Sequence, residues 1–258
     1  VGVSTKMSRT TNYSSDDLAL STIASQSNSY GGYFISLHSN GANNSANYVI
    51  SEYCGTRSSN STEKVSGSKK FAYTAAVQHD KNRLTDVTYS TPRAINDYAF
   101  NGWNLGVLRT NTQVGYLVES WFHDYRPETL RMKGDAYNRY LAWQLARAYM
   151  EYPKGNASGI KGCVVGDIRN TSKGCGYSKY THRNRDSYLA VNGAKVELIN
   201  SSGTVVQTMT TDNWHNGVYA FFDVAAGSYT VRVSKSGYKT QTASVSVSNG
   251  NSSLKRFN

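Results

Sequence analysis

The sequence predicts an α/β domain, built on a mostly parallel sheet with helices on both faces, followed by an all-β sandwich domain. Two observations predict this order. Up to residue 153, short apolar runs alternate with segments whose apolar residues recur every three or four positions. After residue 159, apolar and polar residues alternate with a period of two. The polar stretch 154–159 contains two glycines and is interpreted as a linker, so we predict domains at 1–153 and 160–258.

Three apolar runs are predicted as strands of the first domain, namely Tyr33–Leu37, Leu105–Leu108 and Val114–Val118. Near-continuous apolar runs of this length are typical of parallel strands that are covered by helices on both faces. We therefore expect all three strands to be buried.

Three segments between and after these runs are predicted as helices. The aspartates at 16–17 are expected to cap the first, whose apolar face runs to Ala24. Phe71 begins the apolar face of the second. Pro127 opens the third, because its fixed φ suits a first helical turn, and this helix ends before Pro153.

Five short alternating segments are predicted as strands of the second domain. Gly-containing turn signals separate them, as at Ser202-Gly203 and Asn216-Gly217. Short strands with this spacing form a sandwich of about 100 residues. The predicted strands are Lys195–Ile199, Val205–Thr210, Val218–Val224, Tyr229–Ser234 and Ala243–Ser248.

The formal net charge of +11 is concentrated in the second part of the chain. Residues 1–153 carry 15 basic against 12 acidic side chains, and residues 154–258 carry 13 against 5. Such an excess attracts anionic wall polymers, nucleic acid or anionic lipid, unless the basic surface has no partner. No nucleic-acid-binding motif occurs, and no apolar run is long enough to span a membrane.

The three cysteines, Cys54, Cys163 and Cys175, form no CxxC pair. Cys163 and Cys175 are candidates for one disulfide in an oxidising compartment. The same two cysteines with His182 are a weaker candidate for a metal site, since their spacing matches no common one. His79, which lies beside Asp80 in a helical segment, is expected at the surface.

Two segments carry residues suited to catalysis at the ends of predicted strands. His38 follows the run that begins at Tyr33, and ligands of α/β folds bind at the carboxyl ends of parallel strands. A neutral imidazole there is a candidate metal ligand, and a structural histidine is the alternative. Glu119 follows the third run, where a carboxylate can pass a proton from water to a leaving amine; an ion-paired or capping glutamate is the alternative.

Together these segments resemble the zinc-dependent N-acetylmuramoyl-L-alanine amidases. Ser36-Leu37-His38-Ser39-Asn40 matches the family's Ser-x-His-x-Asn motif, and Glu119 with the following Ser120-Trp121-Phe122 matches its glutamate strand. Met7-Ser8-Arg9 and Leu105 to Arg109 match in family order. The resemblance covers about residues 1–152.

The resemblance implies a Zn²⁺ held by two histidines and one glutamate, with His38 as the second histidine and Glu119 as the catalytic base. Three protein ligands leave a position for water, whose pKa zinc lowers to about 7. The family's first histidine and its ligand glutamate have no counterpart, since Val1 aligns within the second strand. We therefore expect an upstream segment to supply them. His123 and Asp124 are further candidates, the first for the cleft or a loop hydrogen bond and the second for a supporting position.

The second domain resembles the carboxypeptidase-regulatory-like, transthyretin-like sandwiches. Val218–Val224, the turn Ala226-Gly227-Ser228-Tyr229, a further strand and Gly237-Tyr238 match that family's pattern. Such domains carry no catalytic group and are secreted appendages, so this one is expected to space the first domain or to anchor it to an anionic wall.

The two resemblances imply an extracytoplasmic bacterial enzyme that hydrolyses the amide between N-acetylmuramic acid and L-alanine in peptidoglycan. Its expected partners are the glycan and stem peptide, with anionic wall polymers bound by the basic second domain. One alternative is a non-catalytic wall- or glycan-binding protein with a degenerate site. Another is a nucleic-acid binder, which only the charge favours.

Overall fold

The computed structural model describes residues 3–11, 13–56, 62–87, 93–177 and 184–258. They group into two compact units. The first is drawn from Val1–Ser39, Val49–Val77 and Thr91–Ser120, and the second from Asn40–Tyr48, Gln78–Ser90 and Trp121–Asn258. The domain boundaries predicted from the sequence stay predictions.

Helices and short strands alternate along residues 20–122. In chain order they are α1 (Leu20–Tyr30), β1 (Tyr33–Asn40), β2 (Val49–Tyr53), α2 (Ser68–Asp80), β3 (Arg93–Asn96), α3 (Asp97–Asn101), α4 (Gly106–Arg109) and β4 (Val114–Phe122).

The four strands form one sheet in the order β1-β4-β2-β3. β2 runs parallel to β3 and antiparallel to β4, with Ile50 opposite Glu119. β1 and β4 run parallel, because Gly115 lies against Phe34 near their starts and His123 N–H donates to the Asn40 carbonyl, 2.8 Å, just past their ends. The predicted α/β class with a mostly parallel sheet is confirmed.

The predicted strand Leu105–Leu108 is wrong, because these residues form the helical turn of α4. The Asp97 carboxylate accepts the Leu105 N–H at 2.8 Å, which fixes the start of this turn. The Leu105 carbonyl then accepts the N–H groups of Leu108 and Arg109. A four-residue apolar run fits one turn of helix as well as a strand, and here local hydrogen bonds decide.

The run Tyr33–Leu37 is a strand, but its predicted burial is wrong. β1 lies at the edge of the sheet, and Leu37 is 56% exposed. Val114–Val118 is confirmed as part of β4, and Tyr116, Leu117 and Val118 are buried.

The three predicted helices exist, with two corrections. α1 begins after Ala19 and has no side-chain cap, because the Asp16 carboxylate accepts from the Thr11 N–H and hydroxyl instead. The apolar face of α2 is buried as predicted, with Phe71 in van der Waals contact with Tyr116 at a ring separation of 4.8 Å.

The helix predicted from Pro127 is two helices, α5 (Arg126–Met132) and α6 (Asp135–Glu151). Pro127 stands in the first turn of α5, as expected. The break falls at Gly134, whose backbone lies so close to Asp212 and Asn216 that a Cβ would collide with both.

The C-terminal strands are β5 (Gly162–Asp167), β6 (Arg169–Gly174), β7 (Tyr188–Ala190), β8 (Lys195–Asn200), β9 (Val205–Thr210), β10 (Val218–Val224), β11 (Gly227–Ser234), β12 (Gln241–Val247) and β13 (Ser252–Leu254). They form sheets in the orders β10-β5-β13, β12-β11-β8-β9 and β6-β7. The first two enclose a core that includes Val164, Leu198, Tyr219 and Val231. All five predicted strands and the sandwich are confirmed.

Two expectations about single side chains are wrong. His79 is completely buried rather than at the surface. Within the described part of the chain, no disulfide joins Cys163 to Cys175. Cys163 lies in the core on β5, and the Cys175 thiol contacts the Tyr177 carbonyl. His182 lies outside the described residues. No helix among the described residues is long and apolar enough to cross a membrane.

Candidate functional site

His38 lies on β1, two residues before the carboxyl end of the strand. Its Nε2 is 3.0 Å from the Ser36 hydroxyl, which points to the same side of the strand. The side chain is exposed, and partial desolvation nevertheless lowers its pKa. His38 therefore presents a neutral imidazole near the end of an edge strand, which is the form that binds metal.

Glu119 lies on β4, three residues before the end of that strand. Its side chain is half-buried. Because β1 and β4 are parallel neighbours, His38 and Glu119 both lie near the same edge of the sheet, where the two strands end. This placement agrees with the sequence prediction, and the chemical roles of the two residues stay predictions.

The chain beyond β4 holds the loop that follows β1. The Asp124 carboxylate accepts the backbone N–H groups of Ala42 and Asn44 at 2.8 and 3.0 Å. The imidazole of His123 lies against Gly41, and the His123 N–H bonds to Asn40. Asp124 and the backbone of His123 thus hold the loop after β1, and the roles expected of these two side chains stay predictions.

Trp121 gives the end of β4 an unusual backbone. It is buried and has a φ of +76°, which bulky side chains rarely adopt. The residue comes two positions after Glu119. Backbone strain of this kind concentrates at functional sites.

Glu52 on β2 is a carboxylate that the sequence interpretation missed. It is only 3% exposed, and its Oε2 accepts a hydrogen bond from Asn101 Nδ2 at 2.6 Å. Burial raises its pKa to about 7; the Asn101 hydrogen bond opposes the rise, while the charges of Glu119 and Asp97 add to it. The sequence does contain one indication of this residue, because Glu52 is the charged residue within the mostly apolar run from Val49 to Cys54.

A catalytic zinc site needs three protein ligands close together. Among the described residues, no three His, Cys, Asp or Glu side chains gather in a group that could hold a metal ion. His38 alone does not make the three-ligand site that catalytic zinc requires. The described residues therefore do not fit a complete zinc site.

The other histidines and the exposed aromatics form no second candidate. His215 is exposed, and its Nδ1 is 3.1 Å from the Asn192 amide. Trp103 is exposed in the loop between α3 and α4.

Comparison with known proteins gives one family match and several similar structures. Residues 185–258 match the carboxypeptidase regulatory-like domain. The N-acetylmuramoyl-L-alanine amidase from Clostridium difficile 630 is 21% identical, with a TM-score of 0.43 over 53% of this chain and 66% of that one. The catalytic domain of CwlV, an N-acetylmuramoyl-L-alanine amidase from Bacillus (Paenibacillus) polymyxa var. colistinus, is 20% identical, with a TM-score of 0.40 over 53% and 66%. Cwp6 from Clostridium difficile is 21% identical, with a TM-score of 0.47 over 59% and 22%. No curated protein sequence matches the chain.

Both resemblances predicted from the sequence are thus found, to amidases over about half of the chain and to the regulatory-like domain at its end. The chain spans 66% or less of the length of these three structures.

Proposed function

We propose that this chain contributes to the hydrolysis of the amide between N-acetylmuramic acid and L-alanine in peptidoglycan. The observation that carries the proposal is the pairing of β1 and β4 as parallel neighbours, which brings His38 and Glu119 to the same edge of the sheet. An imidazole and a carboxylate at the ends of adjacent parallel strands are two of the groups that metal-assisted amide hydrolysis uses.

Glu119 is the proposed general base. A carboxylate there takes a proton from the attacking water and returns it to the amine that leaves as the amide breaks, a contribution of typically 100- to 10,000-fold in rate. Asp124 fixes the loop after β1 by accepting hydrogen bonds from two of its backbone N–H groups.

Zinc binding is a separate part of the proposal. His38 would be one ligand, and Zn²⁺ would supply a polarised carbonyl and an activated water. The described residues provide no complete ligand set, so no reaction step is derived through the metal. The resemblance of the Ser-x-His-x-Asn segment is what favours zinc.

The C-terminal sandwich is proposed as an extracytoplasmic anchor or spacer. Its basic excess is smaller at the surface than the sequence suggests, because three arginines converge on buried Asp167. Arg169, Arg185 and Arg256 lie 2.9, 3.1 and 3.5 Å from this carboxylate. Anionic wall polymers would bind mainly through the remaining exposed lysines, and this binding should weaken as salt is added.

The test is cleavage of a purified muropeptide by the full chain, followed by mass spectrometry. Hydrolysis separates the sugar from a peptide with a new L-alanine amine. We expect Glu119→Gln to lose at least about 100-fold in kcat. His38→Ala should lose activity together with any zinc that remains after dialysis. His215→Ala is the matched control and should change neither.

A non-catalytic wall-binding protein is the second candidate, and the basic excess of residues 154–258 favours it, because a basic surface attracts anionic wall polymers. Muropeptide binding by the wild-type chain, without cleavage and without bound zinc, would establish this alternative and refute the hydrolase. Cleavage that Glu119→Gln abolishes would refute the alternative.

A further inference from the structure

Glu52 and Glu119 lie on the same face of the sheet. In the antiparallel pairing of β2 with β4, Ile50 is opposite Glu119 and Glu52 is opposite Leu117. Residues directly opposite each other, and those two positions along a strand, share a face. Glu52 is therefore the diagonal neighbour of Glu119, roughly 7 Å away in the backbone and within reach of a long side chain.

Glu52 is also held in place from the other side. Asn101, on α3, donates one amide hydrogen to Oε2 of Glu52 and the other to the carbonyl of Asp97. The neighbour on β3 in this register is Ile95, which is apolar. Asn101 thus clamps the buried carboxyl of Glu52 between the sheet and the start of α3.

The charges that bear on Glu52 are both negative, Glu119 from β4 and Asp97 from α3. Asp97 is occupied by the N–H groups of Gly55 and Leu105 and by the Asn104 amide. Glu119 is the proposed base, so its charge is the one that changes during the proposed hydrolysis. A buried carboxyl without a cation among these groups binds a proton more readily when its acidic neighbour is ionised.

We propose that Glu52 is a positioning residue for Glu119: a buried carboxyl, clamped by Asn101, whose ionisation sets how readily Glu119 accepts a proton. The role of Glu119 as a base rests on the proposed function; the coupling between the two carboxyls does not. When Glu52 is neutral it leaves the proton affinity of Glu119 low. When Glu52 loses its proton, repulsion makes Glu119 a stronger base.

The coupling is tested first, by carbon-13 NMR titration of the full chain with labelled glutamate carboxyls. The chain has only six glutamates, so Glu52→Gln assigns the resonance by its loss. We expect one glutamate to titrate near neutrality and to disappear in Glu52→Gln. Glu119→Gln should lower the pKa of that glutamate by about half a unit or more, because it removes a neighbouring charge. Asn101→Ala should raise it, because it removes the stabilising hydrogen bond.

A near-neutral titration that survives Glu52→Gln, or that Glu119→Gln leaves unchanged, overturns the proposal. The effect on chemistry is read from the pH dependence of kcat/KM for muropeptide cleavage. Wild type should show an inflection near neutrality that Glu52→Gln removes, with an unchanged melting temperature. A purely structural role would scale the profile at every pH and lower the melting temperature. If wild type cleaves nothing, the proposed hydrolase fails, while the NMR titration still decides the coupling.

Discussion

Arg131 should be among the residues on which the second unit depends most. The side chain is completely buried, and its guanidinium lies 2.7 Å from Glu128 and 2.8 Å from Asp186, which are buried as well. Desolvation alone would lower the Arg131 pKa, but the attraction of Asp186 and Glu128 outweighs it and raises the pKa above its ordinary value. α5 is thereby joined to the segment just before β7.

The change Arg131→Met keeps most of the volume and removes the charge. Two buried carboxylates then lose their main counter-charge. Glu128 keeps the Asn47 amide at 2.9 Å, and Asp186 keeps the Tyr125 hydroxyl at 2.9 Å and Arg169 at 3.7 Å. Removing one partner of a buried pair costs about 3–5 kcal/mol of unfolding free energy. That is a large part of the roughly 5–15 kcal/mol of a whole domain.

The assay is equilibrium unfolding in urea, followed by tryptophan fluorescence. The control is Arg139→Met, since Arg139 and its partner Asp135 are 62% and 85% exposed and lie 4.0 Å apart. An exposed pair of this kind contributes about 1 kcal/mol or less. The triple change Arg131→Met, Glu128→Gln and Asp186→Asn should recover part of the loss, because it leaves no buried charge uncompensated. A loss below about 1 kcal/mol for Arg131→Met would refute the reasoning.

Two further outcomes follow from single side chains. Burial lowers the pKa of His79 to about 4. Above the unfolded pKa of 6.5 the imidazole is neutral in both the folded and the unfolded state, so its titration does not change the free energy of unfolding there. As pH falls from 6.5 towards 4, only the unfolded chain takes up the proton, and urea midpoints should record a loss of up to about 3 kcal/mol that His79→Leu removes. Asp124→Ala should leave the amides of Ala42 and Asn44 without their carboxylate acceptor and speed their hydrogen exchange, at a cost of about 1 kcal/mol in stability. Unchanged exchange at both amides would contradict the assigned role of Asp124.

The sandwich was predictable because its signals are local and mutually consistent. Alternation along the strands fixes which side chains face the core, and Gly203 and Gly217 adopt the positive φ that tight turns require. The turn that contains Gly203 connects β8 to β9. It sets their register, which runs from Lys195 opposite Thr210 to Ile199 opposite Val205. Such patterns determine structure without long-range information.

The α/β part was predictable in class and less so in detail. Apolar content predicts burial only if another element covers the strand, and the sequence does not say that β1 lies at an edge. The short run at Leu105 became a helical turn because of a hydrogen bond to Asp97, which lies eight residues earlier. The diagonal placement of Glu52 and Glu119 depends on strand order, which apolar patterns do not encode.

The end of β4 shows why a candidate site can escape prediction from sequence. The backbone preference of tryptophan disfavours a positive φ at Trp121, because this region costs an L-residue about 1–2 kcal/mol. Burying the indole contributes more, as replacing a buried Trp by Ala costs about 3–5 kcal/mol. Packing therefore holds the backbone in a conformation that local propensity opposes. Trp121 is the second-last residue of β4, and His123, just beyond the strand, makes the backbone contact with Asn40, so a strained residue that packing stabilises lies directly beside this contact.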